Sequence, residues 1–175
     1  MISLTFAFWM LVILFGIIGA MRGWAKELLV IFSVILALAF NRLLERYVPL
    51  VNTLPADGVA LFWIRYVILV VLVFFGYQTV ALPRFAAKAA REKLQDSLLG
   101  FVLGALNGYL VVGTVWFYLD QAHYPFAYIS APQPGTAMGD AAIQLLPLLA
   151  PRLLGEPSIY FAVILAFIFV LVVFI

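Results

Sequence analysis

The chain has 175 residues, 67% of them hydrophobic and only 10% charged, with a mean hydropathy of +1.18. Soluble domains are about 45–50% apolar and about 25% charged, so this composition excludes a water-soluble domain and a disordered chain, and the lack of cysteine excludes a disulfide scaffold. A net charge of +2 is too small to argue for nucleic acid, no basic run supports it, and no nucleic-acid partner is expected. An integral membrane protein remains. The expected fold is all-α: a polytopic bundle of four transmembrane helices, a fifth apolar stretch as a further candidate span, and a short cytosolic interfacial helix.

Residues 2–21 are uncharged over 20 positions, about the number that a bilayer crossing needs. They lack the basic start and small-residue cleavage site of a signal peptide, so they read as a retained span. Arg22, Gly23 and Trp24 then make a tight turn, and Lys26 and Glu27 open the second helix. Its uncharged run, residues 28–41, has only 14 positions. It crosses if the helix extends over about 25–44, with Lys26 and Arg42 snorkelling to opposite interfaces; a re-entrant hairpin is the competing reading. Pro49, Pro55, Asp57 and Gly58 mark a polar connection, and the third span covers about 59–82. Its one charge, Arg65, is expected to snorkel or to pair with Asp57.

Pro83 breaks the third helix or opens the next. Residues 84–96 are too polar to cross, and Arg84, Lys88 and Arg91 share one helical face. That face is expected to contact lipid headgroups. The fourth span, 97–119, is uncharged for 23 residues. Residues 1–120 thus form a four-span domain. Residues 121–157 form a loop whose apolar part is cut by Pro147 and Pro151, so it is expected to be interfacial, and 158–175 is the fifth apolar segment. In the first and third connections there are six Lys and Arg, against three in the second and fourth. The bias places the N-terminus outside, 84–96 in the cytosol and 121–157 on the extracytosolic side.

Gly100, Gly104 and Gly108 recur every four residues, which stacks them along one face where another backbone can approach. Gly16, Gly19 and Gly23, with Ala20, offer a second small-residue face near the first turn. Packing of the ridge against the first or second span is one reading; self-association or a partner membrane protein is the other. Asn107, Gln78 and Thr114 are polar side chains within spans, expected as interhelical hydrogen-bond glue. No carboxylate or histidine falls well inside a span, which argues against an ion-coupled transporter. The only histidine, His123, is an interface residue or a ligand to a pigment or haem held by a neighbouring subunit; one histidine makes no zinc site. No serine elbow, phosphate loop or dinucleotide fingerprint is present, so no enzymatic activity, no catalytic residue and no metal are expected.

Two blocks carry a family resemblance. Gly19-Ala20-Met21-Arg22-Gly23-Trp24-Ala25-Lys26-Glu27-Leu28 resembles the Arg-Gly-aromatic turn and basic-acidic pair of the colicin V production protein (CvpA) family of bacterial inner-membrane proteins. The stretch from Gln95 through Asp96 to Gly108 resembles that family's charged segment leading into a glycine-ribbed fourth span. The match covers about residues 2–120. Many members carry an acidic residue early in the first span, where this chain has Thr5. Related spans also anchor certain trypsin-like serine proteases, a domain not found within these 175 residues. The resemblance implies a small envelope protein linked to toxin export and envelope integrity. A structural or interaction role in the inner membrane is therefore expected, with lipids and other membrane proteins as partners. An accessory subunit of a bioenergetic complex, holding quinone or pigments, is the alternative reading; a small transporter or channel is the third.

Overall fold

A computed structural model describes residues 4–78 and 93–174. Those residues are helical with short connections: α1 (Leu4–Arg22), α2 (Trp24–Tyr47), α3 (Pro49–Asn52), α4 (Val59–Tyr77), α5 (Lys93–Gln121), α6 (Ala137–Leu145), α7 (Ala150–Leu153) and α8 (Ser158–Phe174). Helices α1, α2, α4 and α5 are each long and apolar enough to cross a membrane. A fifth span is completed if the 137–153 segment and α8, bent by 61° from each other, count as one. The protein is a multi-pass helical membrane protein. Its spans carry large apolar side chains on their outer faces, such as Trp9, Ile13 and Ile17 on α1 and Phe74 and Phe75 on α4. This suits a bundle whose solvent is lipid.

The elbow between α1 and α2 is one residue long. Gly23 sits at φ 87° and ψ 155°, a region that only glycine takes readily, and its N–H donates to the Gly19 carbonyl at 3.0 Å. With no loop to spend, α2 starts at Trp24 and runs 24 residues, about 36 Å at 1.5 Å per residue. It is one continuous helix, so the hairpin alternative is wrong. Val48, extended before Pro49, ends it. Helix α4 ends at Tyr77, and Gln78 closes it with its side chain exposed; positions 79–82 of the expected span lie outside the described residues.

The charged segment before the fourth span departs from expectation. Lys93 and Asp96 belong to the first turn of α5 itself, because no breaker separates them from Ser97. The remainder of that segment, including Arg84, Lys88 and Arg91, lies outside the described residues. Helix α5 is the longest, at 29 residues, and forms the bundle's axis, touching α1, α2, α4 and α7. It ends in two successive left-handed residues, His123 (φ 53°) and Tyr124 (φ 52°), where the Tyr124 N–H reaches back to the Leu119 carbonyl at 2.9 Å. Pro147 and Pro151 break the next apolar stretch into α6, a 3-10 turn (Leu146–Leu148) and α7.

Candidate functional site

Helices α1 and α5 meet along their glycines. A Cβ at Gly104 would lie 2.5 Å from the Phe15 carbonyl oxygen and 2.8 Å from the Gly19 Cα. One at Gly19 would fall on the Gly100 carbonyl oxygen, and one at Gly108 would lie 3.0 Å from the Val12 Cα. Gly16 differs: its neighbour is the Phe101 ring, at 3.0 Å. The two small-residue faces therefore lie against each other within one chain. Ser97 adds a polar stitch, its hydroxyl donating to the Ala20 carbonyl at 3.1 Å.

At the elbow end, groups from all four spans converge on one carboxylate. Glu27 of α2 is fully buried, and its Oε1 accepts from Arg22 Nη1 of α1 at 2.9 Å. Its Oε2 accepts from Asn107 Nδ2 of α5 at 2.8 Å, and the same amide reaches the Glu27 carbonyl at 2.9 Å. Arg22 Nη2 donates to the Tyr77 carbonyl of α4 at 3.2 Å, and its guanidinium lies 4.3 Å from the Tyr77 ring centre. Asn107 stands at the middle of the uncharged 97–119 run. The expectation that no carboxylate lies well inside a span is therefore wrong for Glu27. The one-residue elbow starts α2 beside the first turn of α5, at Asp96, and Glu27 reaches Asn107 further along the same helix. A buried charge of this kind persists only when paired, and here one guanidinium and one amide bond reach the carboxylate, with a third bond to the Glu27 backbone carbonyl.

A second buried cluster closes the other end. Arg65 of α4 is 6% exposed; its Nε donates to Glu45 Oε1 of α2 at 2.6 Å, and its Nη1 to Gln121 Oε1 of α5 at 2.6 Å. Its partner is Glu45, not Asp57, because Arg65 lies two turns inside α4 and faces α2 and α5. Asn41 of α2 donates to the Arg65 carbonyl at 3.3 Å and to the Tyr118 hydroxyl at 3.1 Å. Sequence reasoning missed Asn41, Glu45, Tyr118 and Gln121 as site residues. One signal was available: 27, 41 and 45 fall on one face of α2, fourteen and four residues apart. Thr114 is no interhelical glue; its hydroxyl bonds the Leu110 carbonyl of its own helix at 2.6 Å.

The elbow is further pinned from α5. Asp96 Oδ1 accepts the Trp24 N–H at 3.3 Å, and a Cβ at Gly23 would lie 2.7 Å from Asp96 Oδ2. Gly23→Ala should therefore lower unfolding stability by about 1–3 kcal/mol, the usual cost of such backbone strain. Chemical unfolding in detergent measures this directly; an unchanged midpoint would mean that the elbow tolerates a side chain.

His123 is exposed just beyond α5, its N–H donating to the Asp120 carbonyl at 3.0 Å. Next to it, Tyr124 bonds Asp120 and the Trp116 indole, each at 3.2 Å. Burial pushes the Tyr124 phenol above its ordinary pKa, so it remains a donor to Asp120 at neutral pH. Thr5, in place of an acidic residue, reaches the Met138 carbonyl at 3.5 Å. Among the described residues no group of three or more His, Cys, Asp or Glu side chains is placed to hold a metal ion.

Four apolar helices, with α1 and α5 joined along a glycine seam and two ion-pair clusters tying neighbouring helices together, define a polytopic helical membrane protein. The family description "Colicin V production protein" matches residues 4–129, from the start of α1 past the end of α5. The chain belongs to that family. No curated protein and no solved structure matches it.

Proposed function

We propose that this chain is a non-enzymatic structural or interaction protein of the bacterial inner membrane that supports colicin V production through export or envelope organisation. The family match over α1–α5 is the observation that carries this reading. The two ion-pair clusters agree with it: their carboxylates are held by guanidinium and amide groups of neighbouring helices, an arrangement suited to fastening a bundle. The experiment is complementation. In a colicin-V-producing bacterium deleted for its own family member, expression of this chain should restore toxin release. Unrestored release from a strain with normal membrane levels of the protein would contradict the export role. Copurification in mild detergent tests the competing reading as a subunit of a bioenergetic complex, which requires a stoichiometric large assembly with bound quinone or pigment. Flux into liposomes tests a channel.

The proposed orientation puts the N-terminus outside, supported by the six-to-three Lys and Arg bias. A topology reporter near Lys88 should then be cytosolic and one near Gly135 extracytosolic. The opposite labelling would invert the bundle.

A further inference from the structure

The cluster around Arg65 borders a small, partly open cavity of about 20 Å³ between α2, α4, α5 and α7. Six polar side chains line it: Asn41, Arg42, Glu45, Arg65, Tyr118 and Gln121. Pro151 and Leu154 of the proline-broken segment close one side. A cavity of this size holds one water or one ion of similar size, and no polyatomic group.

The charges around it do not balance. Arg65 and Arg42 bring two guanidinium groups, and Glu45 brings the only carboxylate, which Arg65 Nε already engages. Half-buried Arg42 has no hydrogen bond or ion pair among the described residues, although charges taken out of water are ordinarily paired. Tyr118, 4% exposed, accepts from Asn41 Nδ2, and its own hydroxyl proton reaches no acceptor among the described residues. An unpaired cation and an unused buried donor thus border one cavity.

We propose that this cavity binds a single small monovalent anion of chloride size, held by Arg42, Arg65 and the Tyr118 hydroxyl. The ion supplies the missing negative charge where α2, α4 and α5 converge under α7. Water is the competing occupant, favoured by the Asn41 Oδ1, an acceptor that takes no hydrogen bond among the described residues.

The test is thermal unfolding of the full chain in detergent, in sodium chloride and in sodium gluconate at equal ionic strength. A ligand bound only to the folded state at tenfold excess over its Kd should raise Tm by about 3–6 °C for a chain of this size. Arg42→Gln should abolish the difference while leaving Tm in gluconate near wild type, because Arg42 makes no bond that folding would lose. Tyr118→Phe should shrink the chloride effect. Equal melting of the wild type in both salts would mean that water fills the cavity. A chloride effect that survives Arg42→Gln would place the ion elsewhere, and an equal effect of phosphate would exclude a small-ion site. Each of these three results overturns the proposal.

Discussion

Glu27→Ala should cost the bundle about 2–4 kcal/mol, the largest loss expected from any single substitution in α2. Removing one partner of a buried ion pair typically costs about 3–5 kcal/mol, because the other charge is left without compensation. Arg22, with its side chain 19% exposed, recovers part of this by turning towards water. The Asn107 amide, however, loses a charged acceptor at the middle of α5 and keeps only the Glu27 backbone carbonyl. Glu27→Gln preserves the shape and an acceptor oxygen, so it should lose less. Chemical unfolding in detergent separates the three proteins. Equal stability of Glu27→Ala and wild type would show that the carboxylate fastens nothing.

Gly104→Leu should be nearly as damaging. The neighbours of a new side chain there are the Phe15 carbonyl and the Gly19 Cα, backbone atoms that cannot rotate away. Overpacking costs about 1–3 kcal/mol, and these contacts place the site at the upper end. Leucine also favours an isolated helix over glycine by up to ~1 kcal/mol, which offsets only part of the loss. Gly113→Leu meets side chains instead, Leu149 at 3.1 Å and Phe8 at 3.6 Å, which can shift. It should lower Tm by less than half as much. If the two variants melt alike, α1 and α5 are not packed through their glycines.

The spans were legible because hydropathy alone locates them, and α1, α4 and α5 begin or end within about five residues of the expected bounds. The glycine ridge was legible on α5, and so was the matching face on α1. Packing of the ridge against the first or second span was one reading, but the choice of α1 was not legible, since four-residue spacing states that a helix approaches but not which one. The ion pairs were hidden for a different reason. A charge beside an apolar run looks interfacial when depth is counted along its own helix, so Glu27 read as the edge of α2. Its real depth is set by α5, a separate element that begins further out and passes beside it. Arg65 was visible as a deep charge, but its partner lies 20 positions earlier in sequence, beyond the reach of local spacing. The breaks at Pro147 and Pro151 were legible because proline acts locally.

Arg22 and Glu27 fasten the spans to one another as a pair. A double-mutant cycle with Arg22→Met, Glu27→Met and both together, measured by chemical unfolding in detergent, tests this coupling. Two methionines replace the pair with apolar groups of similar length, and buried ion pairs replaced whole are often neutral in stability. The double variant should therefore be more stable than the summed single losses predict, with a coupling of about 1–3 kcal/mol, the range for residues in direct contact. Strictly additive losses would mean that the two side chains act independently and that the four spans are not held at this point.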